Sequence, residues 1–141
     1  MYIEKKPIIL VVDDEKEIRE AISRHFRFLG YEIETAENGR IALQILQDKR
    51  IDVIISDIKM PVMDGIELLR EVKLIYPLTH VIMITGYVTQ ENVLSCMRHG
   101  ADTCIYKPIS DMSELETAIE DAFKTLARWQ TKLRVLTEMK K

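Results

Sequence analysis

The stretch Ile8-Ile9-Leu10-Val11-Val12-Asp13-Asp14-Glu15-Lys16-Glu17-Ile18 sets the reading of the whole chain. From Ile8 to Val12 it is aliphatic without interruption. An unbroken apolar run of this length suits a strand covered on both faces, as in a parallel sheet. Acids then break the run. Asp14, with Glu17 three residues on, predicts a helix cap. Ile18, Ile22, Phe26 and Leu29 continue as one apolar stripe at helical spacing, and Gly30 stops it. The unit is strand, acidic turn, helix.

The same alternation recurs. Apolar runs rich in β-formers lie at Ile8 to Val12, Tyr31 to Ala36, Ile51 to Ser56, Val81 to Ile84 and Thr103 to Tyr106. Asn38-Gly39 breaks the chain before the helical stretch Ile41 to Leu46. Asp64 with Glu67 predicts a helix whose stripe is Ile66, Leu69, Val72 and Tyr76. Thr89 opens a helix carrying Val93, Leu94 and Met97, and Asp111 with Glu114 opens the last one. Strands alternating with helices predict an α/β domain with a parallel sheet and right-handed crossovers.

A length of 141 residues suits one domain with a sizeable core. The net charge of -3 gives no global basic signal for nucleic acid. The N-terminus is short and polar, and the apolar run after it is too short for a signal peptide or a membrane span, which predicts the cytoplasm. Cys96 and Cys104 lack metal-ligand spacing and lie in apolar patterns, so both are expected as reduced core thiols.

The final helix is long. Leu115, Ile119, Ala122, Leu126, Trp129, Leu133 and Leu136 are spaced 4, 3, 4, 3, 4, 3, a coiled-coil seam. Residues 1–123 are therefore expected to form the domain, and 124–141 an extension that pairs with a second copy or leads to another module. Lys124, Arg128, Lys132, Arg134, Lys140 and Lys141 crowd this segment, as expected for a charged solvent face rather than a nucleic-acid or membrane surface.

Polar residues cluster where strands end. Asp13 and Asp14 follow the first, Asp57 the third, Thr85 the fourth and Lys107-Pro108 the fifth. Open α/β sheets bind ligands outside the carboxyl ends of their strands. In the flavodoxin-like order 2-1-3-4-5 these residues converge; the convergence follows from that topology, not from position in sequence. Three carboxylates in one pocket repel one another. A hard divalent cation relieves the conflict, and Mg2+ favours carboxylate, water and phosphate oxygens. A carboxylate can also be a nucleophile towards phosphorus, with a cation, an ammonium and a hydroxyl stabilising the moving group.

On these residues the chain resembles the response-regulator receiver domains of bacterial two-component signalling, over about residues 6–123. Asp13-Asp14-Glu15 matches the family's acidic cluster, and Asp57-Ile58-Lys59-Met60-Pro61-Val62-Met63-Asp64-Gly65 its phosphoacceptor loop. Thr85-Gly86 matches the hydroxyl switch, and Lys107-Pro108 the lysine and its partner. The resemblance implies that Asp57 is phosphorylated. It implies that Asp14 and Asp57 ligate Mg2+ directly, Asp13 through a water, and Lys59 through its backbone carbonyl, with Mn2+ as an alternative ion. Lys107 would pair with the phosphoryl oxygens, Thr85 would hydrogen-bond them, and the Lys107-Pro108 bond is expected to be cis, as in relatives.

The implied donor is a sensor histidine kinase or a histidine phosphotransfer protein. The implied output is a surface of helix four, strand five and helix five, with homodimerisation there and along the extended helix. No nucleic-acid or membrane partner is expected. Such a chain catalyses only its own phosphorylation and dephosphorylation. It is either a stand-alone receiver or the N-terminal piece of a larger regulator. Lys59 and Tyr87 flank the path of attacking water in this family, so slow self-dephosphorylation is expected. One departure stands out: Cys104 occupies the position, three before the lysine, where the family carries an aromatic switch. Either Tyr106 substitutes, or the output runs through helix four without an aromatic rotor.

Two rivals share parts of the pattern. A flavodoxin-like electron carrier would need small hydroxyl and amide donors after the first strand, where Asp13-Asp14-Glu15 would repel phosphate. A Mg-dependent phosphohydrolase of the haloacid-dehalogenase kind needs Asp-x-Asp there, and Glu15 stands in place of the second Asp.

Overall fold

A computed structural model of the chain describes residues 7–86 and 89–139. Tyr87, Lys140, Lys141 and the polar N-terminus before Pro7 lie outside the described residues, and with Tyr87 its part in slow dephosphorylation. The elements, in chain order, are β1 (Ile8–Val12), α1 (Lys16–Phe28), β2 (Glu32–Ala36), α2 (Gly39–Asp48) and β3 (Val53–Asp57). They continue with α3 (Gly65–Ile75), β4 (His80–Thr85), α4 (Gln90–Arg98), β5 (Thr103–Tyr106) and α5 (Ser113–Met139). The five strands pair in parallel in the order β2-β1-β3-β4-β5. The alternation predicted a parallel sheet, and its strand order is the flavodoxin-like, doubly wound one on which the expected convergence depended.

Every residue of β1 and β3 is buried, and so is β4 after His80. The reason is two cores, one per sheet face. Ile8, Leu10, Val12, Ile54 and Met83 pack with Leu46, Leu68, Leu69, Val72 and Cys96 from α2, α3 and α4. Ile9, Val11, Ile55 and Ile84 pack with Ile22 and Phe26 of α1 and Leu115, Ile119 and Ala122 of α5. Successive strand residues point to opposite faces, so both sets must be apolar. Each fully buried aliphatic side chain contributes roughly 1.5–3 kcal/mol relative to exposure.

Local starts follow the capping pattern at three helices and depart from it at α5 and α1. Asn38, Asp64 and Thr89 each accept from the amide three residues on, at 3.0, 2.9 and 3.1 Å. Asp111 accepts instead from Ser113 N–H at 2.9 Å. At α1, Asp14 is not the cap. Glu15 occupies the cap position without a side-chain bond, because the turn directs the acids into the strand-end pocket.

Other boundaries shift. Tyr31 and Ile51 precede their strands, Asp57 and Thr85 are the last residues of β3 and β4, and Leu29 and Met97 are exposed rather than on their helices' buried stripes. On α4 the buried position is Cys96. Gly30 ends α1 with φ +98, a region open to glycine at little steric cost. Helix α5 is continuous for 27 residues, and its buried stripe ends at Leu126. No described helix is long and apolar enough to cross a membrane.

Candidate functional site

The parallel order brings the carboxyl ends of β1, β3, β4 and β5 to one edge. Register fixes their depth: Val12 lies opposite Ser56, Asp57 opposite Ile84, and Thr85 opposite Tyr106. Asp13 therefore emerges beside Asp57. Lys107 follows β5 directly, its amide donating to the Thr85 carbonyl at 2.8 Å, and the Lys107-Pro108 bond is cis.

Lys107 reaches back across the pocket. Its Nζ lies 3.0 Å from Asp13 Oδ2, 3.1 Å from Asp57 Oδ2 and 3.5 Å from Glu15 Oε1. The other oxygens are held by backbone. Asp13 Oδ1 accepts from Glu15 N–H and Asp57 Oδ1 from Ile58 N–H, each at 2.8 Å. Arg19 donates to the Asp13 carbonyl at 2.7 Å, pinning α1 to the site. Asp13, Asp57 and Thr85 are buried, whereas Asp14 and Glu15 are exposed. The pocket has a buried floor and an exposed rim.

One ammonium faces several carboxylates, and their proton affinities record the excess. Burial raises the Asp57 pKa and Asp13 raises it further; Lys107 and the Ile58 amide only partly offset this. Burial also raises Asp13, against the Glu15 amide and Lys107. Burial alone would lower Lys107, but its contacts with Asp13 and Asp57 raise it instead. Each group favours the protonated state, so the pocket carries surplus negative charge.

This arrangement fits a hard cation. Asp13, Asp14, Glu15 and Asp57 each offer a ligand oxygen within 4.8 Å of the others. Asp13 Oδ2 is buried, in ion-pair contact with Lys107 but without an aligned hydrogen bond. An oxygen-only donor set of this kind suits Mg2+.

The loop after Asp57 is tied back to its own start and to α2. Gly65 N–H donates to the Ile58 carbonyl at 2.7 Å, and Gly39 N–H to the Met63 carbonyl at 3.2 Å. A Cβ on Gly65 would lie 2.0 Å from the Asp57 carbonyl oxygen. Lys59 is exposed on this loop. Val62 is held at φ 72, a costly region for a β-branched residue, with its side chain in solvent. Val62→Gly is expected to stabilise the protein by about 0.5–1 kcal/mol, the relief of strain exceeding the entropy lost. A urea denaturation midpoint that falls on this substitution would contradict it.

Asp13, Asp14, Asp57 and Lys107 thus meet at one pocket, and Thr85 ends the neighbouring strand. Glu15, not expected as a ligand, joins the carboxylate group; its adjacency to Asp14 was the available signal. Arg19 carried no signal, because its role depends on where α1 lies. Cys104 lies opposite Met83 and packs on the α2–α4 side, while Tyr106 is half exposed.

Comparison with known proteins agrees with this geometry. The model of the response regulator receiver domain family matches residues 9–120. The chain is 39% identical over 116 residues to the regulatory protein AtoC of Escherichia coli (strain K12), covering 82% of this chain and 25% of AtoC. The chain therefore spans about a quarter of the length of the curated relatives it matches first.

Among solved structures, a CheY-like receiver domain protein of Methanospirillum hungatei JF-1 superposes with TM-score 0.80 at 32% identity, covering 85% of this chain and 96% of that one. The response regulator TrrA of Thermotoga maritima, solved with Mg(2+)-BeF, gives TM-score 0.75 at 34% identity, covering 82% and 98%. With its five-stranded sheet and its acidic strand-end pocket, the chain belongs to the response regulator receiver domain family.

Proposed function

We propose that Asp57 accepts a phosphoryl group from a phosphohistidine donor, a sensor histidine kinase or a histidine phosphotransfer protein. The observation that carries this is the buried Asp57 carboxylate at 3.1 Å from Lys107, ringed by further acids. A carboxylate oxygen of Asp57 attacks phosphorus. The P–N bond breaks, and its electron pair stays on the departing imidazole. Asp13, Asp14, Asp57 and the backbone carbonyl of Lys59 would hold Mg2+, or Mn2+, which when bound neutralises charge on the phosphoryl oxygens. Lys107 adds its ammonium and Thr85 its hydroxyl. No external substrate is turned over; the chain catalyses only its own phosphorylation and dephosphorylation.

The new charge beside Lys107 and Thr85 biases a two-state surface of α4, β5 and α5. That surface and the end of α5 would contact a second copy. Trp129, Leu133 and Leu136 support this: they continue the heptad seam past Leu126 and are exposed. Residues 1–123 would be the receiver and 124–141 the pairing segment. The 25% coverage of AtoC supports the reading of a receiver that is one piece of a larger regulator. The cytoplasm is the location that goes with this donor and with the reduced cysteines expected from the sequence.

Acetyl phosphate with Mg2+ tests the assignment by intact mass. The wild type is expected to gain one phosphoryl group, and Asp57→Asn or a chelated sample to gain none. A wild type without mass gain would overturn it. Light scattering on the same samples should show dimer rising with labelling.

A further inference from the structure

The outer side of α1 carries three arginines that the chemistry above uses only in part. Arg19, Glu20, Ser23, Arg24 and Arg27 form one wall of an open cleft of about 410 Å³, and Thr35 of the edge strand β2 forms the other. The acids of β2 turn away from it. Side chains alternate along a strand, and Ile33 packs with Ile22 and Phe26 of α1, so Thr35 shares that face. Glu32 and Glu34 point to the opposite face, where Lys49 pairs with them at 3.8 and 2.7 Å. Glu20, the acid in the wall, lies 3.9 Å from Lys16. Among the described residues, no carboxylate pairs with Arg19, Arg24 or Arg27. Arg19 is already held: its Nη1 donates to the Asp13 carbonyl at 2.7 Å. The cleft therefore sets three guanidiniums against one carboxylate, and one of the three is fixed before any ligand arrives.

We propose that this cleft binds a diphosphate, an anion with two adjacent phosphoryl groups, either inorganic or carried by a nucleotide. Guanidiniums pair with phosphate oxygens through two parallel N–H bonds, which single ammonium groups cannot do. The surplus of two positive charges in the wall calls for an anion of more than one charge. From Arg19 to Arg27 the donors spread over about 12 Å of helix axis at 1.5 Å per residue, a row that suits linked phosphoryl groups better than a single one. The cleft volume lies within the range of small-molecule sites, roughly 300–1,000 Å³. No apolar or aromatic side chain lines it. A base has no ring to stack on, and a protein partner has no buried anchor, so recognition rests on the phosphates. Through Arg19 the cleft and the acidic pocket share one side chain, so a diphosphate bound in one acts on the Asp13 peptide group of the other. The binding itself does not depend on whether Asp57 is phosphorylated.

The full chain is titrated calorimetrically with inorganic pyrophosphate, without Mg2+ and at constant ionic strength. One site is expected, at least about tenfold tighter than for orthophosphate or sulfate. Arg24→Gln and Arg27→Gln, both exposed on α1, should each weaken it about fivefold or more, and Arg24→Lys less than Arg24→Gln. Asp57→Asn should bind as the wild type does; tighter binding by this variant would place the anion in the acidic pocket and overturn the site. ADP that binds as well as pyrophosphate would make a nucleotide the source, and much weaker ADP binding a free diphosphate. Equal affinity for pyrophosphate and sulfate, or wild-type affinity in the double arginine variant, would overturn the proposal. So would binding of a polyglutamate peptide or a DNA duplex with none of pyrophosphate. In NMR spectra of the same titration the Asp14 amide, whose peptide carbonyl Arg19 holds, should shift. An unmoved Asp14 amide with binding intact would overturn the link to the pocket and leave the site standing. A chain that binds pyrophosphate but takes no acetyl-phosphate label would count against Asp57 alone.

Discussion

Gly65→Ala is expected to destabilise the protein by on the order of 3–4 kcal/mol, and to impair Asp57 although neither reacting group is altered. The added Cβ would lie 2.0 Å from the Asp57 carbonyl oxygen, and 2.9 Å from both the Asp57 carbonyl carbon and Ile58 Cα. All three are backbone atoms, so no flexible side chain can yield. Relief requires moving either α3 or the end of β3, and the 2.7 Å bond from Gly65 N–H to the Ile58 carbonyl resists both. Gly86→Ala is the control: its nearest neighbour would be Lys107 Cβ at 3.9 Å, an ordinary contact. That substitution should cost less than about 1 kcal/mol. Chemical denaturation of both variants decides the matter. A Gly65→Ala midpoint close to that of Gly86→Ala would show that α3 shifts freely.

Asp57→Asn, in contrast, is expected to raise stability at neutral pH in the absence of divalent cations, by roughly 1–3 kcal/mol. It removes one charge from a buried cluster with surplus negative charge and leaves Lys107 paired with Asp13 at 3.0 Å. Asp13 and Asp57 both have folded-state pKa values raised above 3.8. The folded state therefore binds protons more tightly than the unfolded state. Wild-type stability should rise as pH falls from neutrality through those raised values, and the penalty should be fully present above them. The raised pKa of Lys107 acts in the alkaline range: its contribution is present below 10.5 and is lost as pH rises through the folded value. Asp57→Asn should flatten the acidic limb. Mg2+ should stabilise the wild type by about 1.4 kcal/mol at ten times its Kd and the variant much less. Thermal melts across roughly pH 4–8, with and without Mg2+, measure the acidic limb and the Mg2+ effect. A variant less stable than wild type without Mg2+ would reverse the electrostatic account.

Much of this architecture was legible before any coordinates. Ile8 to Val12 read as a doubly covered strand because its alternate residues must satisfy two cores, and both are apolar. Asp64 and Thr89 announced their helices because capping is local chemistry between residues three apart, whereas Asn38 read only as a break before its helix and proved to be its cap. The pocket was legible only through topology: Asp13, Asp57 and Lys107 are far apart in sequence, and only the strand order brings both acids within 3.1 Å of Lys107. What escaped the sequence was tertiary in origin. Asp14 looked like a cap, but a cap and a pocket acid have the same residue type, and only the turn's direction separates them. Gly65 reads as an ordinary post-cap residue until the Asp57 carbonyl is found against it. Met97 and Cys96 are neighbours in an apolar pattern, and which faces the sheet depends on the helix's rotation.

Helix α5 has a mechanical side. Its root is clamped by Leu115, Ile119, Ala122 and Leu126, all buried, and past Leu126 no described residue of the helix is buried. From Leu126 to Met139 the rod projects about 20 Å at 1.5 Å per residue. By simple geometry, a tilt of about 5° at the clamp moves the tip by roughly 2 Å, enough to take a heptad seam out of register with whatever it meets. The projecting helix has the shape of a lever: a small tilt at its buried root would become a displacement of atomic size at its far end.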